Sequence, residues 1–251
     1  MRPALYAVPV PESLDPGKRD ELLAVLPPER RARIAGYLRP EKALASLLGE
    51  ILVRRVLGRE LGIPWAAVRI VAGPHGKPVL ADHPAPHFNV SDSDGWVVAA
   101  FGNRPVGVDV ERIRPVLAGV VETALSPEER ASLFAGLPGA GKGSDPAGEP
   151  RSWRRLEGAA SKAFVEHWTL KESYLKLTGV GLAAPLERLT VRQEGTRLAV
   201  SPPAPEGDVY CRRYELHPEY ALSLCSYEPH LPERVQFLHA GEIVNSQAHF
   251  E

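Results

Sequence analysis

What this chain has least of narrows its class first. Two cysteines in 251 residues cannot build a disulfide scaffold. No stretch is apolar for long enough to serve as a signal peptide or a membrane span, and the opening Met1–Gly17 carries four prolines instead. The expectation is therefore a cytoplasmic protein. Net charge is scarce as well: 30 Lys and Arg against 31 Asp and Glu leave −1, with a pI near 6.7. That balance argues against bulk attraction to nucleic acid, while a local basic patch can still bind small anions. Histidines and cysteines show no metal-ligand spacing; His83 and His87 are four apart, but Pro84 and Pro86 forbid the helix that would align them. No Gly-x-Ser-x-Gly elbow supports a serine hydrolase. Two glycine-lysine runs fail as P-loops: Gly136–Lys142 continues into Gly143 rather than Ser or Thr, and Gly73–Lys77 is too short and runs into Pro78.

What is present describes a folded chain with a substantial core. Hydrophobic residues at 44% and charged residues at 24% are ordinary for a globular protein, and the length allows one large domain or two small ones. A strand at Ala4–Val10 precedes a helix from about Leu14 to Leu26, and Leu44, Leu47, Leu48, Ile51, Leu52 and Val56 recur at helical spacing within Glu41–Leu61. Gly62 and Pro64 stop that helix. Short strands follow at Val68–Val71, Phe88–Val90, Trp96–Phe101 and Val106–Val110, then a helix from about Val116. Ser126-Pro127-Glu128-Glu129 is a capping box, for which a structural role suffices. Gly136 to Ser161 lacks apolar periodicity and reads as a mobile insertion. Helical pattern resumes from about Lys162 to Lys176, and strands return at Leu189–Arg192, Arg197–Val200, Tyr210–Leu216 and Tyr220–Tyr227. A hairpin turning at His217-Pro218-Glu219 would bring Cys211 opposite Cys225.

The order of elements repeats. The helix of Gly49-Glu50 leads through strand, glycine turn and strand to the Trp96 hairpin, and the helix of Lys171-Glu172 leads through the same succession to Tyr220. The intervals are 96 − 50 = 46 and 220 − 172 = 48 residues. The fold class expected is α/β (α+β), two similar halves related by pseudo-twofold symmetry, each a small sheet packed with helices. Residues 1–103 would form one half, with the tail 229–251 packing back on it, and 104–228 the other, with Asn103–Pro105 as crossover. Ligands are commonly bound in clefts between such halves.

The chemistry concentrates in two stretches. In Trp168-Thr169-Leu170-Lys171-Glu172-Ser173-Tyr174-Leu175-Lys176, Glu172 and Lys176 share one helix face, anchored by Trp168, Tyr174 and Leu175. In Gly107-Val108-Asp109-Val110-Glu111, strand alternation projects both acids from one side. Three carboxylates and a lysine are the parts of a magnesium-phosphate site, since magnesium takes one or two carboxylates together with substrate phosphates. Spacing alone leaves a solvated surface as an alternative.

Gly107–Glu111 together with Trp168–Lys176 resembles the paired signature of the Sfp-type 4'-phosphopantetheinyl transferases. Pro28-Glu29-Arg30-Arg31, Leu47-Leu48-Gly49-Glu50, Gly76-Lys77-Pro78 and Phe88-Asn89-Val90-Ser91 are similar to further family motifs and occur in family order, from about residue 1 to 230. The resemblance implies that the phosphopantetheine arm of coenzyme A is moved to a serine of an acyl or peptidyl carrier protein of fatty acid, polyketide or nonribosomal peptide synthesis; an internally duplicated cleft needs no second chain, so a monomer is expected. It implies Asp109, Glu111 and Glu172 as magnesium ligands and Lys176 beside the pyrophosphate; Glu172 is placed to accept the serine proton, directly or through a metal-bound water. Arg30, Arg33, Ser46, Lys77, Ser91 and Asp92 fall at expected coenzyme A contacts. The family usually has histidine where this chain has Asp92, whose carboxylate is expected to cap the Ser91–Gly95 turn or else to reach a metal-bound water. A magnesium-dependent phosphodiesterase acting on coenzyme A and a non-catalytic binding module are the rival readings.

Overall fold

The computed structural model describes residues 1–135, 155–181 and 185–245. In the first half, β1 (Ala4–Pro9) is followed by α1 (Pro16–Val25), α2 (Pro28–Ala35) and α3 (Pro40–Leu61). Each helix opens on a proline, which lacks the N–H that a first helical turn leaves unpaired. Gly62 closes α3 in the left-handed conformation, φ 66°. The hairpin of β2 (Ile70–Ala72) and β3 (Pro78–Leu80) then precedes β4 (His87–Ser93) and β5 (Trp96–Gly102).

The second half opens on β6 (Val106–Arg112), then β7 (Val116–Leu117), α4 (Ala118–Ala124), α5 (Pro127–Leu133), β8 (Arg155–Leu156) and α6 (Gly158–Thr178). Strands β9 (Thr190–Glu194), β10 (Arg197–Ser201), β11 (Val209–Tyr214) and β12 (Tyr220–Ser226) follow. The halves correspond element by element: a long helix, a hairpin, a second hairpin, and a leading strand antiparallel to that hairpin's last strand, β1 on β5 and β6 on β12. They differ in that β2 and β3 stand as a separate sheet, whereas β9 and β10 join β11.

Strand alternation sets the layers. Leu5, Ala7, Val98 and Ala100 meet Val106, Val108, Val110, Leu222 and Leu224 in a core between the two main sheets. The intervening Tyr6, Val8, Val97, Ala99 and Phe101 turn to the other face and pack on α3. On the far side, Leu170, Tyr174 and Leu177 of α6 cover Cys211, Cys225 and Val191. The order is thus helix, sheet, sheet, helix. Cys211 does lie opposite Cys225, both as buried free thiols.

Near the C-terminus, β13 (Gln236–Phe237) pairs parallel with β1, and α7 (Ala240–Val244) buries Ile243 and Val244 against α3. This cover takes in Arg55, which donates to the Asn245 carbonyl, while Arg30 of α2 and the Val68 carbonyl engage Glu50 and Arg54 on other sides, so α3 is buried all round rather than along one stripe. Two expectations need adjusting. Of the stretch read as an insertion, 136–154 lies outside the described residues, along with the Gly136–Lys142 run, but 155–161 is built into the fold: β8 pairs with β7, and α6 begins at Gly158. The start of α6 escapes a periodicity search because the buried residues of its first turn are Ala160 and Ser161, too small and polar to register. Likewise Val116 and Leu117 are strand, and the helix starts at Ala118. Among the described residues no helix is long and apolar enough to cross a membrane.

Candidate active site

The site is built where α6 lies on β6. Alternation sends Val106, Val108 and Val110 into the inter-sheet core and leaves Gly107, Asp109 and Glu111 facing the helix. Gly107 permits the contact: a Cβ there would stand 2.0 Å from the carbonyl oxygen of Ser173 and 2.3 Å from the amide nitrogen of Leu177. Only a residue without a side chain lets the α6 backbone come this close, and that approach carries Glu172 and Lys176 to the acids. Gly179, left-handed at φ 72°, closes the helix just beyond them.

Lys176 does not pair with Glu172. Its ammonium donates to Asp109 Oδ1 at 2.6 Å and to Ser91 Oγ at 2.9 Å, while Ser91 donates to the same Asp109 oxygen at 2.9 Å. Glu111 accepts from Ser93 at 3.0 Å. Among the described residues, two buried carboxylate oxygens have no donor: Asp109 Oδ2 and Glu172 Oε1. The electrostatics follow. Burial pushes the Asp109 carboxyl up against the pull of Lys176; burial and then the charge of Asp109 raise Glu111; and burial, Asp109 and Glu111 together lift Glu172 to about 7 despite Lys176. Three acids that each resist ionisation, two with an unmet acceptor, suit a hard cation with oxygen ligands. They do not yet converge, since among the described residues no group of three or more His, Cys, Asp or Glu side chains stands at metal-binding distance.

Across this wall runs β4, and its alternation separates two sets of side chains. Asn89, Ser91 and Ser93 face β6, where Asn89 accepts from Val108 N at 2.8 Å and Ser93 from Arg112 N at 3.2 Å. Polar side chains thereby satisfy a strand edge that, among the described residues, no neighbouring strand covers. Phe88 and Val90 pack towards α3, and Asp92 shares their side. Ser91 therefore belongs to the carboxylate wall. Asp92 neither caps the turn nor lies with Asp109, Glu111 and Glu172: its Oδ2 accepts from Lys42 Nζ at 2.6 Å. The tight turn is made by Asp94, at φ 29°, and Gly95, with Arg114 bonded to Asp94.

A cavity of about 250 Å³ opens between α2, α3 and β4, lined among others by Arg30, Arg33, Tyr37, Ser46 and Asp92. Arg30 is held by Glu50 through Nε at 2.7 Å, and Glu50 is held in turn by Arg54 at 2.8 Å. Lys77 is not brought to this cavity. Its ammonium donates to the carbonyls of Val106 and Leu177, each at 3.1 Å, tying the β2–β3 hairpin to the start of β6 and the end of α6. Burial lowers it to about 8, against the charge of Glu206.

Sequence reasoning missed Glu129 and Lys171. Beyond closing the capping box on Ser126, Glu129 accepts from His167 at 2.9 Å, Lys171 at 2.7 Å and Val191 N at 2.7 Å. Lys171, fully buried, also donates to the carbonyls of Leu186 and Leu189. The pair fixes the rotation of α6 from a face about 100° round the helix from Glu172. The capping box and a lysine next to Glu172 were the available signals, but nothing local links positions 42 residues apart. A larger groove, about 810 Å³, runs along α6 and β12 past Lys162, Glu166, Thr169, Arg213 and Tyr220; it holds none of the candidate ligands.

An arginine-lined cavity beside an acidic wall with a lysine is the equipment of a protein that handles phosphorylated ligands. Comparison with known proteins gives the family. Residues 105–225 match the 4'-phosphopantetheinyl transferase superfamily and residues 16–103 match a 4'-phosphopantetheinyl transferase N-terminal family. The chain is 30% identical over 235 residues to 4'-phosphopantetheinyl transferase ffp of Bacillus subtilis, covering 93% of this chain and 96% of that one. It is 28% identical over 242 residues to 4'-phosphopantetheinyl transferase Sfp of Bacillus subtilis (strain 168), covering 96% and 99%. It is also 30% identical over 189 residues to the L-aminoadipate-semialdehyde dehydrogenase-phosphopantetheinyl transferase of Rattus norvegicus, covering 69% and 55%. The chain belongs to the 4'-phosphopantetheinyl transferase superfamily, in its Sfp type.

Proposed function

We propose that the protein transfers the 4'-phosphopantetheine arm of coenzyme A to a serine hydroxyl of an apo acyl or peptidyl carrier protein, releasing adenosine 3',5'-bisphosphate. The observation that carries this reading is the pair of buried, donorless oxygens of Asp109 and Glu172 on a wall shared with Lys176. Asp109, Glu111 and Glu172 would hold magnesium, which when bound offsets the charge of the diphosphate. The protein's own residues do the rest. Arg30, Arg33 and Ser46 bind the nucleotide end in their cavity. Glu172 takes the serine proton on its carboxylate as the serine oxygen bonds to phosphorus and the bond from that phosphorus to the bridging oxygen breaks. Lys176 neutralises the bisphosphate that leaves with the electron pair of that bond. Lys77 positions rather than binds, by joining the β2–β3 hairpin to α6.

A near-neutral chain with no membrane-crossing helix among its described residues supports a soluble, cytoplasmic enzyme. Two halves that form the cleft within one chain support a monomer. Incubation with coenzyme A and magnesium, with and without an apo carrier, tests the reading. Bisphosphate release must require the carrier; release in its absence identifies a hydrolase.

A further inference from the structure

We propose that Lys42 is a phosphate-binding cation of the coenzyme A cavity and that Asp92 is the residue that holds it there. The inference rests on reading that cavity as the coenzyme A site. Lys42 stands in the first turn of α3, four residues before Ser46, and its ammonium lies 2.6 Å from Asp92 Oδ2 at the cavity edge. A lysine in a first turn has the wrong sign for the helix dipole. Nor does the pair stabilise the fold appreciably, because Lys42 is 44% exposed and Asp92 23% exposed, and such ion pairs contribute little.

Charge supplies the reason for the pair. A carboxylate lining a cavity for phosphates repels them unless a cation sits on it. The titratable groups lining the cavity are Arg30 and Arg33 from α2, Tyr37 beyond them, Glu50 from α3 and Asp92 from β4. Glu50 is occupied by Arg30 and Arg54, which leaves Asp92 to Lys42. The ammonium has three donors, so one can serve Asp92 while the others face a phosphate. Asp92 restrains a flexible four-carbon stem that would otherwise lose entropy on binding. Together the two residues present a cation at the edge where the family usually has a histidine.

The test is a double-mutant cycle read by coenzyme A titration calorimetry and by KM and kcat for transfer, with melting temperatures as a check on folding. Lys42→Ala should weaken coenzyme A about tenfold or more in both Kd and KM with kcat nearly unchanged, because it removes a charge-assisted hydrogen bond and exposes the carboxylate. Asp92→Ala alone should cost only about threefold, because the lysine remains. The double variant should bind better than Lys42→Ala, since the repulsion is gone. A rim pair without a ligand role leaves all three within about twofold and overturns the proposal, as does a double variant no better than Lys42→Ala. Dephospho-coenzyme A separates the two phosphate sources: loss confined to coenzyme A puts Lys42 on the 3'-phosphate, and equal loss on both puts it on the diphosphate. Wild-type protein that binds coenzyme A without transferring it refutes the transferase reading and leaves this cycle intact. Wild-type protein that binds none refutes both.

Discussion

Replacing Gly107 by alanine tests whether the approach of α6 to β6 makes the site. The added Cβ would lie 2.0 Å from Ser173 O, 2.3 Å from Leu177 N and 2.9 Å from Leu177 Cα, all backbone atoms that cannot rotate away. Ordinary contact begins at 3.4 Å, so the helix must withdraw by about 3.4 − 2.0 = 1.4 Å. The same displacement along the Lys176–Asp109 bond would stretch it from 2.6 Å to about 4.0 Å, beyond hydrogen-bonding range. Overpacking of this kind costs about 1–3 kcal/mol, and a misplacement of about 1 Å can cost a catalytic site about 100-fold. The expectation is a folded protein melting roughly 2–12 °C lower, with transfer slowed about 100-fold or more. Gly58→Ala is the control: its Cβ would also meet backbone, Ile63 O and Trp65 Cα at 2.9 Å, but at the end of α3 away from the acids. It should lower the melting temperature and spare the rate. Near wild-type turnover in folded Gly107→Ala would refute the reasoning, because the reacting groups would then tolerate a displaced helix.

Other perturbations separate stability from chemistry. Glu172→Gln should abolish transfer while raising the melting temperature in chelator above pH 7. The folded carboxyl titrates near 7 against an ordinary 4.5, so its ionisation opposes folding fully above pH 7 and not at all below 4.5, where the variant should match wild type. Glu129 behaves in the opposite sense. Burial alone would raise it, but hydrogen bonds from His167, Lys171 and the amides of Val191 and Ser126 prevail and hold it at about 2. Its contribution is therefore complete above pH 4.5 and lost as pH falls through 2, so urea denaturation of Glu129→Gln should show a deficit of about 3–5 kcal/mol at pH 7 that shrinks towards pH 2. Asp109→Ala should remove transfer and leave Lys176 bonded to Ser91 alone; a folded variant with normal turnover would exclude Asp109 from the site.

Much of the site was legible because it depends on local periods. Alternation along Val106–Val110 puts both acids of β6 on one side, and the helical interval brings Glu172 and Lys176 to one face. The duplicated order of elements was legible for the same reason. Alternation also divides Ser91 from Asp92, yet what each meets depends on distant chain: Asp109 for one, Lys42 for the other. Lys77 is bound by backbone carbonyls, which have no sequence signature. The small buried residues at the start of α6 hide a helix that is held by the packing around it.

Intact-mass spectrometry of an apo carrier protein incubated with this protein, coenzyme A and magnesium tests the central claim most directly. Transfer predicts a carrier heavier by one phosphopantetheine, located on a serine and lost when that serine is replaced by alanine or when Glu172→Gln replaces the wild-type enzyme. An unmodified carrier alongside intact coenzyme A, with several carriers tried, would contradict it.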